Sequence, residues 1–313
     1  MPHATTKDNV KLYYEEAGSG TPIIFSHEFA GDYRNWELQM RFFSRRHRCI
    51  TYSARGYKPS DIPSDANAYS YMHWVNDVVA ILDHLKIAKA HFVGLSMGGY
   101  TALMMGVHQS GRLLSLTAAG AGSGSDRVGG EEFRKTFMAT ADDFEKHGSA
   151  HVVAVYGMGT ARIPFLVKDP RGFAEFNEMF ASHDPHGAAR TLRGFQVGRP
   201  SLYDVEAEMR TIKVPTLLVV GDEDDPCLEP NVHLKQWIAT SGLVVLPKTG
   251  HVVNQEEPAL FNEAVADFIA RVEAGRWPAR DPRSMRSGPS FSVLVSRPTM
   301  NAPDVCPADA PAR

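Results

Sequence analysis

One serine, Ser96, lies at the centre of a Gly-x-Ser-x-Gly pentapeptide. An apolar run over 90–93 precedes this pentapeptide, and an apolar helical pattern over 100–107 follows it. That order predicts a strand, a sharp turn and a helix, with the serine hydroxyl projecting from the apex of the turn. Gly94 and Gly98 leave room where a Cβ would clash, and the helix would offer free N–H groups to an oxyanion. We therefore predict that Ser96 is a nucleophile.

A serine hydroxyl needs a neighbouring base to become a nucleophile, and His251 is the candidate that its context favours. It follows an apolar strand pattern over 243–246 through a short loop with the sequence Pro-Lys-Thr-Gly. Loops at the carboxyl ends of parallel strands meet at one edge of the sheet. We therefore expect His251 to reach the serine turn.

The base in turn needs a carboxylate that fixes its tautomer and stabilises its protonated form. The apolar run over 217–220 ends in an acidic turn that contains Asp222, Asp224 and Asp225. We favour Asp224, and Asp222 and Asp225 are the alternatives. This turn lacks the glycine and the distal glutamate of an EF-hand loop, so we expect no metal ion there.

The apolar patterns predict an α/β fold, because strands alternate with helices and such crossovers build a mostly parallel sheet. In the centre of the chain, helical patterns rich in phenylalanine and methionine interrupt that alternation. They predict an inserted helical lid over 123–208. The core would then consist of residues 1–122 and 209–275. A stretch rich in proline, arginine and serine predicts an irregular tail over 276–313.

Composition narrows the range of partners. A net charge of −3 gives no electrostatic support for nucleic-acid binding. Cys49, Cys227 and Cys306 are too far apart in sequence for a disulfide framework or a zinc motif. The polar N-terminus and the lack of a long apolar run predict a cytoplasmic protein without a membrane partner. A homodimer is also possible, with the tail segment 291–295 of one copy packed on a second copy.

Several of these segments together resemble the α/β-hydrolase superfamily, over about residues 8–272. The pentapeptide resembles the nucleophile elbow, and the chain order Ser96, Asp224, His251 is that of the superfamily. The segment His-Glu-Phe-Ala-Gly over 27–31 resembles its oxyanion loop.

The resemblance implies a serine hydrolase without a metal or cofactor. The backbone N–H groups of Phe29 and Met97 would hold the oxyanion. The substrates would be water and a small or aromatic apolar carboxylic ester or lactone, cleaved through an acyl-enzyme. A serine nucleophile excludes the aspartate-based dehalogenase and epoxide-hydrolase mechanisms of the superfamily.

Two other functions remain open. A carbon–carbon bond hydrolase acting on a ring-cleavage diketo acid would use the same three residues, with Arg162, Arg190 or Arg193 holding the substrate carboxylate. A hydrolase-like receptor would bind its ligand without turnover.

The sequence departs from the family pattern at two places. Glu28 stands where the family has glycine after the loop histidine, and we expect its side chain to face the site. Tyr57 and Lys58 replace small residues in the turn that begins at Arg55. We expect His27 to be a buried packing residue.

Overall fold

The computed structural model describes residues 2–125 and 130–285, and a sheet of eight strands runs through it. The strands are β1 (His3–Thr5), β2 (Lys11–Ala17), β3 (Pro22–Ser26), β4 (Arg48–Tyr52), β5 (Ala90–Leu95), β6 (Leu113–Ala119), β7 (Thr216–Gly221) and β8 (Ser241–Leu246). Their order across the sheet is β1-β2-β4-β3-β5-β6-β7-β8. β2 pairs antiparallel with both β1 and β4, and the pairs from β4 to β8 are parallel.

Helices cover the sheet and also fill the connection between β6 and β7. They are α1 (Glu37–Phe43), α2 (Tyr71–His84), α3 (Met97–His108), α4 (Gly130–His147), α5 (Ser149–Tyr156), α6 (Ile163–Lys168), α7 (Pro170–Ala181), α8 (Pro185–Thr191), α9 (Glu206–Met209), α10 (Asp225–Trp237), α11 (Val253–Glu256) and α12 (Pro258–Glu273). A π-helical stretch (Leu192–Val197) follows α8 directly, and single 3₁₀ turns include Thr160–Arg162.

The predicted fold class, an α/β fold with a mostly parallel sheet and flanking helices, is correct. Every residue of β5 and of β7 is buried, as expected for parallel strands that are covered on both faces. β1 was not predicted, since a three-residue strand carries too little pattern to be recognised from the sequence.

The described residues of the connection between β6 and β7 form α4 to α9, the π-helical stretch and a 3₁₀ turn, joined by turns and loops and without a strand. We call the helices over 130–209 the helical insert. The predicted lid boundaries of 123 and 208 include residues 126–129, which lie outside the described residues.

The predicted tail over 276–313 lies mostly outside the described residues, which end at 285. Trp277, at its start, packs against Phe268 with ring centroids 4.6 Å apart. Its indole N–H donates a hydrogen bond of 2.8 Å to the Thr240 carbonyl. This part of the chain is therefore fixed on the end of the sheet beside β8.

Within the described ranges, none of the individual helices has both the length and the apolar character needed to cross a membrane. One bent pair, Ser149–Tyr156 with Thr160–Lys168, meets those two criteria when its members are joined.

Candidate functional site

Ser96 occupies a strained turn between β5 and α3. Its backbone adopts φ +54° and ψ −109°, a region that residues other than glycine rarely occupy. The Ser96 N–H donates to the Ala119 carbonyl at 2.7 Å, and the Ser96 carbonyl accepts from the Tyr100 N–H at 2.8 Å. A Cβ at Gly94 would collide with the Gly98 carbonyl oxygen, so the turn closes only with glycine there. Ser96 keeps partial exposure although its neighbours on both sides are buried.

Asp224 and His251 form a buried pair at the same edge of the sheet. The Asp224 Oδ2 atom lies 2.7 Å from Nδ1 of His251. Because a carboxylate only accepts, Nδ1 carries the proton and Nε2 is left as the basic nitrogen. Burial opposes a charge on the imidazole, but the Asp224 carboxylate outweighs burial and raises the pKa of His251 above its ordinary value.

The two alternative acids have other surroundings. The Asp222 carboxylate accepts a hydrogen bond of 3.1 Å from the Thr249 N–H. Asp225 is the first residue of α10 and is exposed. Of the three aspartates in this turn, Asp224 is therefore the one that the structure pairs with His251.

Ser96 and His251 both lie beside the backbone at the end of β6, where Gly120 follows the strand. The residue before Gly120 accepts the Ser96 N–H, and a Cβ built on Gly120 would lie 3.5 Å from Cε1 of His251. Within the part of the chain that the structure describes, the Ser96 hydroxyl makes no hydrogen bond to His251. The serine turn and the Asp224–His251 pair thus meet at one edge of the sheet, without the serine–histidine bond already formed.

The loop after β3 is anchored by a neutral histidine. Nε2 of His27 accepts from the Ala54 N–H at 3.0 Å, so Nδ1 is the donor to the Glu28 carbonyl at 2.6 Å. Burial lowers the pKa of His27, in agreement with this uncharged form. The Glu28 carbonyl and the Phe29 N–H belong to one trans peptide and point in opposite directions. His27 thereby fixes the direction of the Phe29 N–H, and it fills the packing role expected from the sequence.

Tyr57 holds the next residue of that loop, since its hydroxyl donates to the Phe29 carbonyl at 2.9 Å. The turn that carries Tyr57 is itself fixed by Arg55, whose guanidinium is buried and paired with Asp77 and Asp8. The departure from small residues at Tyr57 thus has a structural reason.

Met97, the second predicted oxyanion donor, is the first residue of α3. Its N–H is among the helix N-terminal donors that have no acceptor within the helix. A helix N-terminus beside the Ser96 turn also places the positive end of the helix dipole there.

Glu28 faces the helical insert and makes a buried ion pair with Arg162. Oε2 of Glu28 lies 2.5 Å from Nη2 of Arg162, with the side chains 1% and 5% exposed. Burial alone would raise the pKa of Glu28, but the Arg162 guanidinium outweighs burial and lowers it. Arg162 also lies 4.9 Å from the ring centroid of Phe176. From the sequence we expected the Glu28 side chain to face the site, but its ion-pair partner could not be predicted, because that partner is 134 residues away.

The 3₁₀ turn Thr160–Arg162, which carries Arg162, also contacts the loop after β8 that contains His251. The His251 N–H donates to the Ala161 carbonyl at 2.7 Å, and a Cβ at Gly250 would collide with that carbonyl. This turn therefore makes two contacts. The Ala161 carbonyl binds the loop after β8, and the Arg162 side chain binds the loop after β3.

A cavity of about 440 Å³ lies between the insert and the acid turn. Asp224 and His251 form part of its wall, and α4 and α5 contribute apolar side chains such as Phe137 and Tyr156 together with polar ones such as Asp143. This mixed lining suits a small ligand that carries both apolar and polar groups.

Asp224, Cys227 and His251 are the one set of three metal-capable side chains found in residues 2–125 and 130–285, with ligand atoms within 4.8 Å of each other. Burial, together with the Asp224 carboxylate, raises the pKa of the Cys227 thiol well above its ordinary value. A metal needs the thiolate, and Nδ1 of His251 is already committed to Asp224. The donor set therefore fits a hydrogen-bonded acid–histidine pair better than a metal centre.

Comparisons with known proteins concern the family and the fold of the chain. A family profile described as the alpha/beta hydrolase fold matches residues 21–258. The chain is similar to 3-oxoadipate enol-lactonase 1 of Acinetobacter baylyi, with 27% identity over 80% of this chain and 89% of that protein. It is also similar to 2-hydroxymuconate semialdehyde hydrolase of Pseudomonas sp., with 27% identity over 85% of this chain and 92% of that protein.

Among solved structures, the enol-lactonase of Burkholderia xenovorans superposes with a TM-score of 0.74. The match covers 86% of this chain and all of that one at 24% identity, and it therefore concerns the fold. With three quarters of its length matched by the family profile, the chain belongs to the α/β hydrolase fold family.

Proposed function

We propose that the protein is a serine hydrolase that cleaves a carboxylic ester or lactone through an acyl-enzyme. The observation that carries this proposal is the 2.7 Å hydrogen bond between Asp224 and His251 beside the strained turn of Ser96. A tautomer with Nδ1 protonated leaves Nε2 free to take the proton of the serine hydroxyl.

In the first step the Ser96 hydroxyl oxygen attacks the carbonyl carbon while Nε2 of His251 accepts its proton. The Phe29 and Met97 N–H groups donate to the resulting oxyanion. Collapse of this intermediate breaks the bond to the alkoxy oxygen, which leaves with the proton from Nε2. Water then loses a proton to Nε2 and attacks the acyl carbon. The second intermediate collapses as the bond to the Ser96 oxygen breaks and Nε2 returns the proton to that oxygen, which releases the acid and restores Ser96.

The Glu28–Arg162 ion pair positions this machinery, because it ties the loop that carries Phe29 to the insert. Its two charges act on His251 in opposite directions, since Glu28 raises the pKa of the imidazole and Arg162 lowers it. Because Arg162 neutralises Glu28, the carboxylate does not oppose an oxyanion beside it as an unpaired charge would.

Two relatives point to different bonds. One is named an enol-lactonase, which supports ester or lactone cleavage, and the other a semialdehyde hydrolase, which supports the carbon–carbon alternative. In this chain the arginines predicted to hold a carboxylate for that alternative are already engaged. Arg162 pairs with Glu28, Arg193 with Asp142 and Glu145, and Arg190 donates to a backbone carbonyl. We therefore favour esters and lactones.

A substrate panel tests this choice. Purified protein is assayed with para-nitrophenyl esters of increasing acyl length, with enol-lactones and with a ring-cleavage diketo acid. We expect kcat/KM for esters or lactones to exceed that for the diketo acid by at least tenfold. The reverse order would move the protein to carbon–carbon hydrolysis, and binding of all three classes without turnover would make it a receptor.

A further inference from the structure

Glu256 is a buried carboxylate that the steps of the proposed reaction do not use. It is the last residue of α11, and its side chain is 0% exposed. Both of its carboxylate oxygens accept the backbone N–H of Gly250, at 2.9 Å and 3.1 Å. Gly250 directly precedes His251 in the chain. A side chain outside the reaction thus holds the peptide next to the proposed base.

The loop that carries His251 depends on such contacts, because it lies between β8 and α11 and has no sheet or helix partners of its own. The His251 N–H donates to the Ala161 carbonyl at 2.7 Å. Among the described residues, the Gly250 N–H has Glu256 as its one acceptor. Gly250 is buried, and a buried N–H that loses its acceptor is costly, so the loop would rearrange to satisfy it.

A rearrangement of this loop would reach the acid turn directly. Gly221 ends β7 and begins the turn that carries Asp224, and a Cβ at Gly221 would collide with the Gly250 carbonyl oxygen. On the other side, a Cβ at Gly250 would collide with the Ala161 carbonyl oxygen. The peptide is therefore packed between the acid turn and the insert, and a shift of it changes the distance between Asp224 and His251.

Lys168 on α6 of the insert neutralises Glu256. Its Nζ atom lies 3.0 Å from Oε1 of Glu256 and 2.6 Å from Oε1 of the neighbouring Glu257. Burial raises the pKa of Glu256, and the Lys168 ammonium and the Gly250 N–H oppose that rise. The two glutamates share one lysine, but of the two only Glu256 binds the Gly250 N–H. Glu257 is therefore a matched control for the loss of a lysine partner.

From these contacts we infer that Glu256 is a positioning residue, which holds His251 in place through the Gly250 N–H. The imidazole is thereby kept within reach of both Asp224 and the serine turn. The inference rests on the proposed function, in which His251 takes the proton of the serine. Glu256 is enclosed and is not part of the cavity wall beside His251, so its loss should lower kcat and leave KM nearly unchanged.

The test compares Glu256→Met with Glu256→Gln, which have the same charge and similar length. Glutamine keeps an oxygen that can accept the Gly250 N–H, and methionine does not. With para-nitrophenyl acetate we expect kcat of Glu256→Met to lie about 10- to 100-fold below that of Glu256→Gln, at similar KM. Glu257→Met removes the other carboxylate from Lys168 and should keep the kcat of the wild type. Equal kcat in the two Glu256 variants would overturn the inference.

If Glu256→Met does not fold, Glu256→Asp carries the test, because it keeps the charge and withdraws the acceptor by one methylene. We expect its kcat to be at least about tenfold lower than that of Glu256→Gln. A kcat equal to or above that of Glu256→Gln would assign the effect to the charge and would contradict the inference.

The pKa of His251 separates this inference from the proposed reaction, because its measurement needs no substrate. The imidazole is followed by NMR in protein with isotope-labelled histidine, and its signal is assigned by its absence from His251→Gln. A displaced imidazole loses part of the effect of the Asp224 carboxylate, so its pKa should be lower in Glu256→Met than in Glu256→Gln. Equal pKa values would reject the positioning role. Different values without ester turnover by any of these proteins would reject only the reaction.

Discussion

The carboxyl edge of the sheet and the helical insert contribute to the site in different ways. At the sheet edge, backbone geometry fixes Ser96, Asp224 and His251, since Ser96 directly follows β5 and the other two lie three and five residues after the ends of β7 and β8. In the insert, side chains are fixed by partners far away in the chain, as Arg162 is by Glu28. The first kind of position leaves a local sequence motif, and the second does not.

This contrast predicts that variants at the sheet edge affect the reaction, whereas variants of the insert contacts affect stability and substrate choice. The most severe loss should come from Ser96→Ala, which removes the attacking atom without changing the turn. We expect kcat for a para-nitrophenyl ester to fall about 10⁴- to 10⁶-fold. Thermal melting should stay near that of the wild type. Ser110→Ala, at the opposite end of β6 and exposed, is the control and should be fully active.

The next largest effect should come from Asp224→Asn, with a kcat lower by about 10³- to 10⁴-fold, because the amide favours the wrong imidazole tautomer. Asp222→Asn and Asp225→Asn should lose far less. A larger loss in either control would transfer the role of the acid to that residue.

The same variant should also change the pH profile. His251 accepts a proton only when neutral, and the Asp224 carboxylate raises the pKa of that histidine above about 6.5. In the wild type, kcat/KM should therefore fall as the pH drops through this raised value. Without the carboxylate, burial dominates and lowers the pKa of His251, so the acid limb in Asp224→Asn should move to lower pH. An acid limb at the same pH in the wild type and in Asp224→Asn would show that a group other than His251 controls it.

Breaking the contact between the two regions should be costly for stability. Glu28→Gln leaves the Arg162 charge buried without a partner, and we expect the free energy of unfolding to fall by about 3–5 kcal/mol. The double variant Glu28→Gln/Arg162→Met removes both charges and should regain much of that loss in denaturant titrations. Equal stability of the single and double variants would mean that the pair does not tie the insert to the loop after β3.

The same contrast explains what the sequence could reveal. The elbow at Ser96 and the strands around it were predictable because periodicity and glycine spacing are local signals. His27 was correctly expected to be a packing residue, since its place beside the elbow is set by β3. Glu28 could be recognised as unusual from its position alone, but its salt bridge could not, because ion-pair partners in separate elements share no sequence pattern.

The arginines of the insert show the limit in the other direction. Arg162, Arg190 and Arg193 were candidates for carboxylate binding because they lie in the predicted lid, and the structure gives each of them a protein partner. Only the folded arrangement reveals these partners, because they lie in other elements of the chain.

The smallest effect concerns the end of the packed chain. Trp277→Ala removes an edge-to-face contact with Phe268 and a hydrogen bond to Thr240, and should lower the free energy of unfolding by about 1–3 kcal/mol. Ester kinetics should hardly change, since both contacts lie away from the site. Unchanged melting would support the tail boundary at residue 276 that the sequence suggested.

The central claim, that Ser96 becomes acylated with help from the Asp224–His251 pair, is tested most directly by trapping the acyl-enzyme. A para-nitrophenyl ester is mixed with protein, quenched in acid within the first turnovers and analysed by peptide mass spectrometry. We predict one acyl group on the peptide that contains Ser96, slower formation of that adduct in Asp224→Asn, and none in Ser96→Ala. An acyl group on another residue, or undiminished turnover by Ser96→Ala, would contradict the claim.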